Sequence, residues 1–185
     1  FILVDTKRIF SFWRSLVPKK YHLRYNDLLK SLDKGLSGVV RGQLLICLLN
    51  GCLTFLGLVM IGVPFAFTLG IVAMVLSLIP IFGTILSSIP IVIMGLTISV
   101  STGLLALVWI LLIHFIEGNF LNPKIMGTSA QIHPAIIVFV LVTGEHMAGI
   151  AGALLAVPVY SILQTFFFFL KSMVDEIEKD STKVV

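Results

Sequence analysis

A chain of 185 residues with 58% hydrophobic and only 12% charged side chains, and a mean hydropathy of +1.09, lies far from soluble domains, where about 25% of residues are charged. Its formal net charge of +4 is unevenly placed: Lys7, Arg8, Arg14, Lys19, Lys20, Arg24, Lys30, Lys34 and Arg41 crowd the first part, opposed there only by Asp5, Asp27 and Asp33. No stacking aromatics or recognition motif accompany these cations, which argues against nucleic acid as a partner; they read instead as the positive-inside signal of a segment on the cytoplasmic side of a membrane.

The chain opens on Phe1-Ile2-Leu3-Val4 without an initiator Met, which reads as the last turn of a preceding apolar segment and predicts a piece of a longer protein. Residues 5–41 are polar, with Ile9, Phe12, Trp13 and Leu16 at helical spacing up to a stop at Pro18. Tyr25, Leu28, Leu29, Leu32, Leu36, Val39 and Val40 then repeat the period. Two amphipathic helices at the cytoplasmic surface are expected, with Trp13, Tyr21 and Tyr25 at the interface; a soluble linker with helical packing would give the same pattern.

From Gln43 to Gly62 the chain is uncharged over about the twenty residues that a helix needs to cross a bilayer. Asn50 and Thr54 lie one turn apart on this span, near Gly51 and Gly57, and predict a face that packs closely on another helix and hydrogen-bonds to it; a face that lines a path is the alternative. Cys47 and Cys52 point to different faces and read as small apolar residues, with neither a disulfide nor a metal between them.

Phe65 to Ile98 is also uncharged, and Pro80-Ile81-Phe82-Gly83 breaks it in the middle. Each half is short, Phe65 to Ile79 making about 22 Å of helix against a hydrocarbon core of about 30 Å. Pro64, Pro80 and Pro90, with Gly70, Gly83 and Gly95, mark two half-helices or two kinked spans. Irregular backbone at membrane depth is tolerated only within protein or beside a water-filled cavity, so the break points to a transport region; a plain turn between tilted helices is the alternative.

Thr102 to Gly118 forms a further span whose end carries the molecule's polarity. Between Gly42 and Leu170 the only charged side chains are Glu117, Lys124 and Glu145. A charge at the centre of a lipid-facing helix costs roughly 2.5 to 3.5 kcal/mol, so the run Glu117-Gly118-Asn119-Phe120-Leu121-Asn122-Pro123-Lys124 is a candidate site. His114 and Glu117 share a helix face, and Pro123 and Gly127 are expected to end any helix. Pro134 to Val142 opens another apolar segment, interrupted at Gly144-Glu145-His146; Gly149 to Pro158 follows with small residues suited to close helix contact, and the apolar run continues through Phe169. The expected division is therefore residues 1–41 (the end of a preceding span and amphipathic cytoplasmic helices), 42–170 (a transmembrane transport domain) and 171–185 (a polar tail bearing Asp175, Glu176, Glu178 and Asp180). The fold class is all-α, a polytopic membrane protein with interrupted or re-entrant helices.

Several motifs come together in one resemblance: Arg41-Gly42-Gln43 at the mouth of a span, Gly62-Val63-Pro64 followed by Gly70, Ile79-Pro80 with Gly83, the block from Glu117 to Gly127, His133-Pro134, and the small-residue run Gly149 to Pro158. Over about residues 5–170 the chain resembles the autoinducer-2 exporter family, the PerM-like permeases. It departs from the family at Gly144-Glu145-His146, where small apolar residues are more usual. The resemblance implies a multi-pass permease of the bacterial inner membrane that exports small polar molecules, with further N-terminal spans, some cation/proton antiporters among its members, and homo-oligomers.

The substrate- or ion-binding set expected from these residues is Glu117, Asn119, Asn122, Lys124 and His114, with Pro80, Gly83, Pro64 and Gly127 as gate or hinge. Glu117 in a partly dehydrated site can bind and release a proton, with burial and Lys124 acting on it in opposite senses. Asn119 and Asn122 offer donors and acceptors to a hydroxylated cargo or a dehydrated monovalent cation. Partners are then membrane lipid, a small polar cargo or a cation and proton, and further copies of the chain; no cofactor is expected. Competing readings are a Glu117–Lys124 pair that only holds a loop, a Na⁺/H⁺ antiporter centred on Glu117, and a structural membrane protein indifferent to Glu117. An intramembrane metalloenzyme using His114, Glu117, His133, Glu145 and His146 lacks any His-Glu-x-x-His spacing, and no enzyme is expected.

Overall fold

The computed structural model describes the backbone of residues 22–126 and 134–182 and the side chains of 22–125 and 135–175. The first amphipathic stretch, Gly127 and His133 therefore lie outside the described residues. Every element among the described residues is helical, as the uncharged runs and absence of strand alternation require.

Helix α1 runs from His22 to Ile61, about 60 Å, so the second amphipathic stretch and the first apolar span are one continuous helix with no break at Arg41. Its C-terminus is a Schellman motif. Gly62 takes φ 83°, its N–H donates to Val59 O at 3.2 Å, and Val63 N–H donates to Leu58 O at 2.9 Å. Buried Val63 packs beside buried Leu58, and Pro64 then forbids continuation. Pro64 is thus a helix stop.

Helices α2 (Ala66–Leu76) and α3 (Phe82–Leu96) are the two halves of the interrupted run, about 16 and 22 Å long, both too short to cross a bilayer. Pro90 lies inside α3 without ending it. Helix α4 (Val100–Ile116) starts at an N-cap on Ser99, whose Oγ accepts the Thr102 N–H at 3.0 Å. It passes directly into a π-helix at Glu117–Leu121 and a short α5 (Asn122–Met126).

Here the sequence expectation fails. Pro123 does not end the helix, because the π-helix widens the turn before it. The Asn122 N–H donates five residues back, to Glu117 O, a register in which the missing Pro123 N–H and the bulk of its ring do less damage than in an α-turn.

The last helix, α6 (Pro134–Thr182), contains a reversal. Ala148 (φ −143°, ψ 23°) and Gly149 (φ 58°, ψ −142°) leave the helical region, the latter in a conformation that essentially only glycine adopts. A Cβ on Gly144 would come within 2.5 Å of the Gly152 carbonyl, which a straight helix places about 12 Å away. Residues 134–147 and 150–160 therefore form a close hairpin, and the 41-residue apolar stretch Ala135–Asp175 is not one crossing. The interruption expected at Gly144-Glu145-His146 falls a few residues later.

The chain forms two compact units, residues 37–160 and residues 1–36 with 161–185. In the second, Gly35 of α1 lies against Ser161 and Thr165 of α6. The first holds two apolar clusters. One gathers Leu58, Val63, Ala66, Leu69, Ala73, Ile91, Ala106 and Ile110. The other gathers Val39, Leu141, Ala153, Ala156 and Val157, with Ile79 and Phe82 against it. Outside them, Leu44, Leu45, Leu48, Leu56, Leu104, Leu105, Val108, Leu111 and Phe115 face outward, an apolar exterior that suits lipid. Because lipid removes the hydrophobic drive between helices, close contact carries the packing. Gly57 lets the Trp109 indole lie on the α1 backbone, where its Nε1–H donates to Leu53 O at 3.1 Å.

Candidate functional site

Glu117 begins the π-helix and turns inward, 6% exposed. Its Oε2 accepts a hydrogen bond at 3.1 Å from Nδ2 of Asn50, itself 1% exposed on α1. Thr54, one turn further along, donates to Asn50 Oδ1 at 3.4 Å, which fixes the carboxamide with its NH₂ toward the carboxyl. Glu117 Oε1 has no partner among the described residues. No fully buried side-chain oxygen or nitrogen among them is left unsatisfied, so Oε1 is not completely enclosed.

His114, one turn earlier, serves a different partner. Its Nδ1 lies 2.7 Å from Thr84 Oγ1 on α3, and Thr84 Oγ1 lies 3.1 Å from Ile81 O. Thr84 has one hydroxyl proton. If it goes to Ile81 O, Nδ1 must carry a hydrogen and donate to Oγ1; if Nδ1 is bare, it takes that proton and Ile81 O loses its donor. Ile81 occupies φ 69°, ψ −54°, with Phe82 N–H donating to Pro80 O at 2.8 Å, a γ-turn that is rare and strained for any side chain and more so for a β-branched one. On the other side of the same linker, Gln43 Nε2 of α1 donates to Ser77 O at 2.7 Å.

The structure places the expected residues as follows. Glu117 and His114 both turn toward the interior, onto α1 and α3 respectively. Asn119 is exposed and its Nδ2 donates back to Phe115 O at 2.9 Å; Asn122 is half-buried; Lys124 is exposed. Among the described residues no ion pair joins Lys124 to Glu117, so the loop-holding pair is not what keeps Glu117 inside. Pro80 lies in the strained turn, and Gly83 packs so closely on the end of α2 that a Cβ would collide with the Leu76 carbonyl. Glu145 and His146 are exposed near the hairpin turn, and no cluster of metal-ligating residues occurs among the described residues.

Asn50, Thr84 and Gln43 complete the site; of these Thr84 was not singled out in the sequence, and Asn50 and Gln43 were not assigned to the Glu117 site. Asn50 and Thr54 carried a signal, two polar groups one turn apart in an apolar helix, and the helix they bond across to is the one that carries Glu117.

Comparison with known proteins gives one family. Residues 1–172 match the family described as AI-2E family transporter. The chain is 36% identical to the Bacillus subtilis (strain 168) protein named "Putative transport protein YrrI" over 80% of this chain and 42% of that one. It is 34% identical to "Putative transport protein YueF" of the same organism over 90% of this chain and 45% of that protein. To "Putative transport protein YhhT" of Escherichia coli (strain K12) it is 30% identical over 70% of this chain and 37% of the relative. The chain thus spans less than half the length of each of these relatives.

Proposed function

The chain belongs to the AI-2E family of transporters, and from that premise we propose that it is part of a bacterial inner-membrane permease that exports a small polar, autoinducer-2-like molecule, coupled to a proton carried on Glu117. The Asn50–Glu117 hydrogen bond carries this reading. A carboxamide N–H can donate to a carboxylate oxygen or to the carbonyl oxygen of the protonated acid, so Asn50 holds Oε2 in both states while Oε1 gains or loses the proton. An anchored carboxyl with one oxygen left unbonded, in a helix otherwise surrounded by hydrocarbon, is the arrangement expected of a proton relay. The π-helix that aims it inward supports the reading, since such turns are frequent at functional sites.

Around Glu117, His114 and Thr84 govern the Pro80–Gly83 linker as the moving part. Asn119, Asn122 and Lys124, on the outward side of the π-helix and α5, meet the cargo at a later stage of its passage. Lipid and further copies of the chain cover the apolar exterior. A second reading, exchange of a monovalent cation for the proton, rests on the same carboxyl, whose Oε1 accepts no bond from Asn50.

Transport by the full-length protein in proteoliposomes under an imposed proton gradient, with separate cargo and Na⁺ readouts, tests both. Gradient-driven flux should fall to background in Glu117→Gln, and the readout that falls identifies the cargo class. Equal flux in wild type and variant removes Glu117 from the coupling step.

A further inference from the structure

One face of α1 is polar over about 16 Å, with Gln43, Cys47, Asn50 and Thr54 at successive turns. The last three are 1–3% exposed, and Gln43 is half-buried. They interact as two pairs: Gln43 Nε2 approaches Cys47 Sγ at 3.9 Å, and Thr54 donates to Asn50, which donates in turn to Glu117. Ile46, fully buried, borders this face, while Leu44, Leu45, Leu48, Cys52 and Leu56 face outward. Both ends of the polar row are closed by apolar side chains. One turn before Gln43, Val39 packs with Leu141, Ala153, Ala156, Val157, Ile79 and Phe82. One turn after Thr54, Leu58 packs with Ile91, Ala106 and Ile110.

We propose that this face of α1 lines the translocation route past Glu117, caught here in an occluded state between two apolar seals, with the Val39 cluster as the seal on the Arg41 side. The inference rests on the transport reading above and adds the route and its gates. The lining is an amide, a thiol, an amide and a hydroxyl, with Glu117 as its single ionisable acid, which fits water and a small uncharged hydroxylated solute. Apolar constrictions close such a route by dewetting, without a steric plug. The Val39 seal includes Ile79 and Phe82, which flank the strained Ile81 turn, so movement of that linker would open it.

The two native cysteines test this directly, because Cys47 lies on the polar face and Cys52 on the outward one. In the full-length protein, with these as the only cysteines and oriented in proteoliposomes, a membrane-impermeant cationic thiosulfonate is applied from each side and modification is followed by mass spectrometry. Cys47 should react from the Arg41 side about tenfold or more faster than Cys52, because lipid excludes the charged reagent and the thiolate it needs. Val39→Ser should speed Cys47 several-fold further and leave Cys52 unchanged. A Cys47 no faster than Cys52 in wild type and in Val39→Ser, or reactive only from the opposite side, overturns the proposal. The transport reading fails separately: Cys47 can be inert while Glu117→Gln still abolishes flux, or reactive while Glu117→Gln transports normally.

Discussion

A carboxyl that must exist in two protonation states is best held by a group that donates to either, and Asn50 does this for Glu117 across 67 residues of sequence. Asn50→Ala leaves Oε2 buried without its donor, and we expect a loss of about 1–3 kcal/mol, measured as a lowered unfolding temperature in detergent. Thr84→Val, nearly isosteric, removes both the Ile81 and His114 bonds. Faster amide exchange at residues 78–82 is expected, at a stability cost of about 1–2 kcal/mol; unchanged exchange there would show that the Thr84 hydroxyl does not hold the turn. Glu117 was legible as a residue because any carboxylate inside so long an uncharged region needs a reason. Its partners were not, because spacing along one helix says which residues share a face and nothing about which helix lies opposite. Neighbours in sequence scattered instead: by Asn119 and Lys124 the chain has turned outward.

Three interruptions of regular helix shape the elements, and the sequence revealed them unequally. The linker between α2 and α3 was legible from Pro80 and Gly83, and the first half-helix, Ala66–Leu76, is shorter still than its uncharged run implied. The π-helix was not, since Pro123 alone suggests an end and nothing local says that a wider turn can carry the helix past it. The α6 reversal sits at Gly149, where φ 58° and ψ −142° need glycine; the polar pair Glu145-His146 drew attention a few residues too early. Between elements, packing turns on small residues. Gly57→Val would drive a side chain into the Trp109 indole and should destabilise by about 1–3 kcal/mol. Adding Trp109→Ala to the same chain should cost less than the sum of the two single changes, a coupling that thermal unfolding of the four variants would measure.

At the scale of the molecule, residues 37–160 enclose a row of polar groups inside an apolar exterior, and the family to which the chain belongs transports solutes. The all-α membrane class was legible from composition alone, because no soluble fold tolerates so much outward Leu, Ile, Val and Phe. If Glu117 couples a proton to solute movement, its substitution should separate coupling from passage. In proteoliposomes of the full-length protein, solute exchange at equal pH on both sides is compared with accumulation driven by a proton gradient, for wild type and Glu117→Gln. Glu117→Gln should keep exchange and lose accumulation; accumulation at the wild-type level in the variant would show that Glu117 does not couple the proton.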